Sequence, residues 1–315
     1  MKWSLVVPCY NEEANVRAFF TACREAIGDK MSYEVVFIND GSRDNTWGEL
    51  KALYEQYPEH IKLINLSRNF GKEAGMYAGL QRAEGDYVTV IDADMQQRPE
   101  IALEMVDFLE ANPDVDCVAA YQAERRENKF IAACKKLFYK FIDFACEISF
   151  KAGASDFRTM RKTMVKAVLA MSEYHRFSKG IFSWVGFNTH YVPYVVQERQ
   201  GGKSSWSFRK LCKYAFEGII SFTTFPLRIA TIVGALMSLA SMLYMIIVVV
   251  QKLAFGIDLP GYATIVVLIL LIGGLQMIML GIIGEYIARI YIQGKHRPVY
   301  IAKEYINRKD TTTEE

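Results

Sequence analysis

The sequence predicts an α/β protein: a mostly parallel sheet covered by helices, followed by amphipathic interface helices and a C-terminal two-helix transmembrane hairpin. Two observations support this prediction. Short apolar runs alternate with helical stretches over the first 120 residues, and two long uncharged runs lie near the C-terminus. With 315 residues, 51% of them hydrophobic and 23% charged, the chain has the composition of a folded protein rather than a disordered one.

The strands of the predicted sheet are five short apolar runs. They occupy residues 5–8, 33–38, 61–66, 87–91 and 115–120. Helical stretches lie between them, near residues 14–27, 44–56, 72–83 and 100–111. This alternation is typical of parallel strands joined by helices on both faces, and such sheets bind ligands beyond the carboxyl ends of their strands. No G-x-G-x-x-G follows the first strand, which argues against a dinucleotide cofactor.

Charge and cysteine content exclude several classes of protein. The 37 Lys and Arg residues against 35 Asp and Glu residues leave a net charge of +2, too balanced for a protein that binds mainly nucleic acid. The six cysteines form no C-x-x-C pair, so we expect reduced thiols rather than disulfides or structural zinc. The first residues turn polar after a short apolar run, unlike a signal peptide.

The two uncharged runs, Ile229–Gln251 and Leu259–Gly284, contain 23 and 26 residues. Each is longer than the roughly 20 residues needed to cross a bilayer core, although a buried helical hairpin in a soluble protein is the alternative. We therefore divide the chain into a domain at 1–205, an amphipathic junction at 206–228, a transmembrane hairpin at 229–288 and a tail at 289–315.

Basic residues flank the hairpin on both sides, whereas the loop between its spans has only Lys252. The positive-inside rule then places the first domain and both termini in the cytoplasm, with the hairpin crossing the inner (plasma) membrane. Residues 130–150 and 206–228 each show an apolar helical stripe with basic residues off it, which favours a position at the bilayer interface. Ordinary packing of these helices on the sheet is the alternative.

Carboxylates follow two of the predicted strands. Asp92 and Asp94 come directly after the fourth strand, and residues i and i+2 of an extended chain share one side. Gln96 continues that side, and two carboxylates with an amide oxygen suit Mg²⁺ or Mn²⁺. A solvated acidic turn is the alternative. Asp40, after the second strand, can accept from a nucleobase N–H or a ribose hydroxyl, or can simply belong to a turn.

Four segments carry a resemblance to a known family. They are VVPCYNEE at 6–13, NDGSRDNT at 39–46, RNFGK at 68–72 and DADMQ at 92–96. In this order they resemble the motifs of inverting family 2 glycosyltransferases with the Rossmann-like GT-A fold, and among these the bacterial polyprenyl-phosphate hexosyltransferases related to dolichol-phosphate mannose synthase. The resemblance implies transfer of a hexose, with inversion, from a nucleotide sugar to undecaprenyl phosphate or another polyprenyl phosphate, for cell-envelope glycosylation. UDP-glucose is the expected donor, and UDP-GlcNAc, UDP-galactose and GDP-mannose are the alternatives.

The same resemblance implies roles for individual residues. The donor would be held by Pro8, Tyr10, Glu12, Asp40, Lys72, Asp92, Asp94, Arg199 and Lys203. A Mg²⁺ or Mn²⁺ ion would be held by Asp92, Asp94 and Gln96, which makes Asp94 a catalytic residue as well.

Three further segments match the family pattern less closely. Residues 153–160 resemble a D-F-R-L-M segment near the acceptor, with Thr159 in place of Leu, and Asp156 would be its catalytic base; an N-cap for a helix over 160–171 is the alternative. Residues 199–206 resemble an R-x-x-G-x-S-K-Y loop that closes over the diphosphate, with Ser and Trp in place of Lys and Tyr. The G-x-R-x-x-R pattern after the fifth strand has lost its first arginine. The acceptor phosphate is therefore expected to meet Arg125, Arg126 and Arg158.

The expected acceptor shapes the chemistry. A lipid monophosphate has a second pKa of about 6 and is largely ionised at neutral pH. Asp156 is therefore expected to act as a positioning group or a modest base.

Glycines at 273, 274, 281 and 284 suit close helix packing within or between protomers of a dimer or tetramer. A processive polysaccharide synthase would need a Q-x-x-R-W segment that the chain lacks, and a non-catalytic nucleotide-binding membrane scaffold is the alternative from another class.

Overall fold

The computed structural model of the protein describes residues 2–122, 154–195, 223–255 and 261–308. They belong to two compact units: a sheet domain, which contains residues 2–122, 154–195 and 297–308, and a helical hairpin, which contains residues 223–255 and 261–296. The predicted interface stretch 130–150 and residues 206–222 of the junction lie outside the described residues.

The sheet domain contains eight strands in the described part of the chain. They are β1 (Lys2–Cys9), β2 (Ser32–Asn39), β3 (Ile61–Leu66), β4 (Tyr87–Val90), β5 (Cys117–Gln122), β6 (Ala154–Arg161), β7 (Thr189–Tyr194) and β8 (Ala302–Ile306). Their order across the sheet is β7-β5-β6-β4-β1-β2-β3-β8. Strands β3, β2, β1 and β4 are mutually parallel, as are β5 and β7, whereas β6 and β8 run antiparallel to their neighbours.

Helices connect the strands as the alternation of the sequence predicts. They are α1 (Val16–Ile27), α2 (Thr46–Gln56), α3 (Lys72–Arg82), α4 (Pro99–Ala111), α5 (Lys162–Ala170) and α6 (Ser178–Trp184). The prediction of a mostly parallel α/β sheet is confirmed. All four helices predicted between the first five strands are present within a few residues of their expected ends.

The core forms because both faces of the central strands are covered. On one face Trp3 and Phe37 are fully buried, and the ring of Phe19 from α1 meets Phe37 edge to face at 6.2 Å. On the other face α3 lies very close to the sheet. A Cβ on Gly79 would lie 2.4 Å from Val6 Cγ1 and 2.7 Å from a Ile38 methyl, so only glycine permits this approach. The close packing fixes the start of α3 beside the carboxyl edge of the sheet.

A chain of buried hydroxyls joins three strands and explains the threonine at 159. The indole N–H of Trp3 donates to Thr89 Oγ1 at 2.8 Å, and Thr89 and Thr159 hydroxyls lie 2.7 Å apart. Both threonines are fully buried, so a leucine at 159 would leave the Thr89 hydroxyl with one partner fewer. Strand β6 is thereby held in register beside β4.

The strand β8 is an element that the sequence analysis did not anticipate within 289–315. It pairs antiparallel with β3, and Ser67 N–H donates to the carbonyl of Ile301 at 2.9 Å. The Tyr300 hydroxyl donates to Gln81 Oε1 at 2.7 Å, which ties the segment to α3 as well. The strand covers an edge of the sheet that would otherwise expose its backbone N–H and C=O groups.

The second unit consists of α7 (Phe225–Phe255) and α8 (Tyr262–Gly294). Over Phe225–Val248 and Val267–Gly294 these helices are long and apolar enough to cross a membrane, and no part of their most apolar windows is buried among the described residues. The Tyr286 hydroxyl donates to the carbonyl of Thr223 at 2.8 Å, just before α7. Helices that expose apolar side chains along their length fit a lipid environment, and the alternative of a hairpin buried in a soluble protein does not agree with this exposure.

Candidate active site

The loops after β1 and β2 interlock at the carboxyl edge of the sheet. The backbone N–H of Asn11 donates to Ser42 Oγ at 3.0 Å, and Arg43 N–H donates back to Asn11 Oδ1 at 2.8 Å. Asn45 N–H donates to Glu13 Oε2 at 2.8 Å. Asn11 has a φ of 57°, which asparagine tolerates better than most residues. Side chains of these two motifs therefore hold the two loops together.

Asp40 fastens the loop that precedes α3. Its two carboxylate oxygens accept the backbone N–H groups of Phe70 at 2.7 Å and Gly71 at 2.9 Å, and the residue is only 3% exposed. Burial raises the pKa of the Asp40 carboxyl, although the two N–H groups oppose that shift. Gly41 passes so close to this loop that a Cβ would lie 2.4 Å from the carbonyl carbon of Arg68. The carboxylate thus holds the loop that precedes α3, and its contact with a nucleoside remains a prediction.

The acidic segment after β4 is a turn rather than an extension of the strand. Strand β4 ends at Val90, and Met95 has a φ of 61°. The argument that Asp92 and Asp94 share a side because the chain is extended is therefore wrong. Gln97 closes the turn instead, because its amide oxygen accepts Asp92 N–H at 3.0 Å and its amide nitrogen donates to Asp92 Oδ2 at 3.2 Å. The sequence analysis missed Gln97, which is 6% exposed.

The turn still offers hard oxygen donors. Asp94 Oδ1 accepts the backbone N–H of Gln96 at 3.2 Å, which holds the two side chains of the D-x-D-x-Q segment on one short turn. Carboxylate and amide oxygens are what Mg²⁺ and Mn²⁺ prefer, so the donor set fits such an ion. Across the residues that the structure describes, no group of three or more His, Cys, Asp or Glu side chains could hold a metal without help from other donors. A metal ion at this turn would therefore also need the amide oxygen of Gln96 and oxygen atoms of the bound ligand.

Lys72 brings the two acidic segments together. Its ammonium lies 2.7 Å from Asp92 Oδ1, 2.9 Å from Asp92 Oδ2 and 3.4 Å from Asp156 Oδ2. Burial alone would lower the pKa of Lys72, but the two carboxylates outweigh it and raise that pKa. Lys72 therefore stays charged and neutralises one of the two acids that face it.

Asp156 lies within β6, so it does not cap a helix, and α5 begins only at Lys162. Its second oxygen, Oδ1, is buried without a hydrogen-bond partner among the described side chains and backbone. Burial by itself raises the pKa of Asp156, yet the positive charges of Lys72, Lys179 and Arg158 hold that pKa below its ordinary value. The residue is an anion at neutral pH, with one oxygen still able to accept a hydrogen bond.

Arg158 lies two residues further along β6 and is 5% exposed. Its guanidinium carbon lies 3.8 Å from the ring centroid of Phe182 on α6, and Nη2 donates to the carbonyl of Ser155 at 3.0 Å. Its Nε is buried without a partner in the described part of the chain. A positive charge is thus kept beneath the surface beside Asp156.

Glu73 is a second site residue that the sequence analysis did not find. Its Oε2 accepts the backbone N–H of Ser178 at 3.0 Å and also the Ser178 hydroxyl. Burial, followed by the charge of Asp156, raises the pKa of Glu73 to about 7. The one signal in the sequence is its position, directly after the lysine of the R-N-F-G-K segment.

The remaining predicted residues divide into two groups. Pro8 is partly buried near the end of β1, Tyr10 is 41% exposed beyond the strand, and Glu12 accepts the Asn15 side-chain N–H at 2.6 Å. These three stand at the same edge as Asp40. The other predicted residues lie outside the described chain: Arg125, Arg126, Arg199 and Lys203.

A mostly parallel sheet that carries an acidic turn, a lysine and a facing carboxylate at its carboxyl edge agrees with the GT-A-like fold that the sequence motifs predict. Residues 4–169 match the sequence model of Glycosyl transferase family 2, and residues 225–290 match that of the GtrB C-terminal hairpin. The chain belongs to glycosyl transferase family 2, and its apolar hairpin makes it a membrane-associated member.

Relatives match along nearly the whole chain. An uncharacterized glycosyltransferase of Synechocystis sp. is 39% identical over 303 residues, which cover 96% of this chain and 94% of that protein. The bactoprenol glucosyl transferase of Shigella phage SfV is 40% identical over 96% of this chain and 98% of its own length. A prophage bactoprenol glucosyl transferase homolog of Escherichia coli strain K12 is 39% identical over 96% and 99% of the two chains. The similarity therefore includes both the sheet domain and the hairpin.

Proposed function

We propose that the protein transfers glucose, with inversion, from UDP-glucose to undecaprenyl phosphate or a similar polyprenyl phosphate, and so makes a lipid-linked sugar for the cell envelope. The observation that carries the proposal is the full-length similarity to proteins named bactoprenol glucosyl transferases. Bactoprenol is a polyprenyl lipid, and a hairpin of two apolar helices would keep the enzyme at the membrane where such a lipid resides.

The donor would bind at the carboxyl edge of β1, β2 and β4. Pro8, Tyr10, Glu12 and Asp40 would surround the nucleoside, with Asp40 acting partly through the loop that it holds. Lys72 would leave its carboxylate partners in part to meet a donor phosphate, because an ammonium with three N–H groups can serve more than one anion. Arg199 and Lys203 would close over the diphosphate.

Asp94 and Gln96, with Asp92, would hold a Mg²⁺ or Mn²⁺ ion against the donor diphosphate. Such an ion would supply positive charge where the leaving group becomes negative. Asp92 is already paired with Lys72 and bonded to Gln97, so Asp94 and Gln96 would contribute most to the site.

The acceptor would attack the anomeric carbon from the face opposite the leaving diphosphate. A phosphate oxygen of the lipid forms the new C–O bond as the bond to the nucleoside diphosphate breaks, which inverts the configuration. With a second pKa of about 6, the lipid phosphate is already ionised, so no side chain must remove a proton. Asp156, held as an anion beside Lys72, would then orient the reactants, while Arg125, Arg126 and Arg158 would supply positive charge to the acceptor phosphate.

The same reasoning extends to location. The hairpin at 229–288 would cross the plasma (inner) membrane twice and leave the domain at 1–205 and both termini in the cytoplasm. The junction at 206–228 would lie at the bilayer interface, and the tail at 289–315 would return β8 to the sheet. Glycines in α8 would allow the hairpins of a dimer or tetramer to pack closely.

The test is sugar transfer by the full-length protein in detergent. Radiolabelled UDP-glucose, UDP-GlcNAc, UDP-galactose and GDP-mannose are each offered with undecaprenyl phosphate and Mg²⁺ or Mn²⁺, and labelled lipid is extracted. We expect label from UDP-glucose, with the opposite anomeric configuration in the product by NMR. Transfer from none of the four donors would overturn the proposal and favour a non-catalytic scaffold.

Asp94→Ala tests the metal assignment within the same assay. Loss of this carboxylate should lower metal-dependent transfer by about 100-fold or more, the size of effect that follows removal of one group that stabilises developing charge in an active site. The matched control is Asp107→Ala on the exposed face of α4, which should retain full activity. Equal transfer by wild type and Asp94→Ala would refute the assignment.

A further inference from the structure

The first turn of α3 contacts the structural elements that carry the candidate active site. Lys72, the first residue of the helix, pairs with Asp92 after β4 and with Asp156 on β6. Glu73, the next residue, accepts two hydrogen bonds from Ser178 at the start of α6. Two neighbouring side chains of opposite charge therefore connect α3 to β4, β6 and α6.

The contact between Glu73 and α6 fixes more than one residue. Ser178 is 4% exposed, and both its backbone N–H and its hydroxyl point to the same carboxylate oxygen. Four positions later Phe182, 3% exposed, lies 3.8 Å from the Arg158 guanidinium. Lys179, beside Ser178, adds a positive charge that acts on Asp156. A shift of α6 would therefore move the ring under Arg158 and a cation near Asp156 together.

The charges near Glu73 act on it in opposite directions, and its direct contacts are the hydrogen bonds from Ser178. Asp156 on β6 repels it, while Arg176, ahead of α6, attracts it. Arg176 is itself occupied, since its guanidinium stacks over the Tyr77 ring at 4.3 Å and donates to the carbonyls of Met171 and Val168. The Ser178 donors are thus the direct partners of the Glu73 carboxylate among the described residues.

We propose that Glu73 is a positioning residue of the transfer reaction, which holds α6 so that Phe182 and Lys179 keep Arg158 and Asp156 in place for the acceptor phosphate. The kinetic part of this inference rests on the proposed function. Among the described residues, the hydrogen bonds of Glu73 go to Ser178 on α6 and not to the donor segments after β1 and β2, so its effect should fall on the acceptor and leave donor binding unchanged.

The experiment compares Glu73→Ala, Glu73→Gln and Ser178→Ala with the wild-type protein in detergent. The matched control is Tyr77→Phe, which removes the 3.4 Å hydrogen bond from the Tyr77 hydroxyl to the Leu169 carbonyl but keeps the ring under Arg176. This control also severs a link from α3 to the segment before α6, without touching α6. Acceptor KM is measured with undecaprenyl phosphate, donor affinity with UDP-glucose, and backbone order by hydrogen exchange over residues 178–184.

We expect Glu73→Ala to raise the acceptor KM about tenfold, the order of one hydrogen bond to a charged group, and to change donor affinity less than about twofold. Glu73→Gln keeps an amide oxygen that accepts from Ser178, so its KM should stay within about threefold of wild type. Ser178→Ala should fall between them, because its backbone N–H still donates. Exchange over 178–184 should quicken in Glu73→Ala and stay unchanged in Tyr77→Phe.

Three results would overturn the inference: an unchanged acceptor KM in Glu73→Ala, an equal loss of donor affinity, or a Glu73→Gln protein as impaired as Glu73→Ala. If Glu73→Ala does not fold, Ser178→Ala must raise the acceptor KM more than Tyr77→Phe does, or the inference fails. If wild type transfers no sugar to the lipid, the proposed function fails separately. Exchange over 178–184 then decides whether Glu73 positions α6.

Discussion

A buried ionic network at the amino-terminal edge of the sheet gives a stability prediction that can be worked from distances. Glu34 is 3% exposed, and its Oε2 pairs with the ammonium groups of Lys2 and, at 3.2 Å, of Lys62. Its other oxygen accepts the Ser4 hydroxyl at 2.6 Å and the Glu84 N–H at 2.8 Å. Lys62 is also paired with Glu84 at 3.0 Å. The network contains two acids and two bases and is neutral.

Glu34→Gln keeps the shape of this site and removes its central charge. The amide oxygen can still accept from Ser4 and Glu84, but an N–H₂ group then faces two ammonium groups. Removing one partner of a buried pair costs about 3–5 kcal/mol, and we take the lower end, about 3 kcal/mol, because Glu84 continues to pair with both lysines. In a domain of this size that should lower the Tm by about 6–12 °C.

The assay is thermal unfolding of the purified protein, followed by near-UV circular dichroism at one scan rate. The control is Glu59→Gln, which breaks the exposed pair between Glu59 and Arg308, whose side chains are 64% and 63% exposed. Exposed pairs contribute about 0–1 kcal/mol, so this Tm should change by about 0–4 °C. Equal changes of Tm in the two variants would contradict the assignment of stability to burial.

Three further predictions concern pH, the site lysine and the last strand. The network lowers the pKa of Glu34, and it lowers the pKa of Glu84 to about 2. The stabilisation by the network should therefore be complete above pH ~4.3 and disappear as the pH falls toward 2. A difference in Tm between wild type and Glu34→Gln that does not narrow in acid would contradict this. Lys72→Met removes the cation that lies between Asp92 and Asp156, so transfer should fall at least about tenfold and the pKa of Asp156 should rise, as read by a pH–rate profile; unchanged rates would refute the bridging role. Deletion of residues 300–315 removes β8 and uncovers the β3 edge, so the variant should aggregate at lower temperature in light scattering, whereas deletion of 309–315 alone should not.

Much of the fold was predictable because the signals are local. Alternation of apolar runs with helical stretches depends only on neighbouring residues, and it identified β1 to β5 and α1 to α4 within a few positions. The apolar runs that became α7 and α8 were evident from composition alone. The family motifs also follow one another in the chain, so the glycosyltransferase assignment did not require a structure.

Parts of the candidate site were not predictable in this way. The turn at 92–97 depends on the positive φ of Met95 and on Gln97, which no strand pattern indicates. The contact of Glu73 with Ser178 joins residues 105 positions apart, and β8 pairs with β3 only after the chain has passed through the hairpin. A short window of sequence cannot indicate pairings between residues so far apart in the chain.

The sequence by itself therefore determined the class of fold, the membrane hairpin and the acids and bases available for chemistry, since these follow from periodicity, composition and residue type. Only the tertiary structure decided which partners these groups have. Lys72 lies between Asp92 and Asp156, Glu73 accepts hydrogen bonds from Ser178, and Asp40 accepts the N–H groups of the loop before α3. The physical reason is that hydrogen bonds and ion pairs act over about 3–4 Å in space, whatever the separation of the partners along the chain.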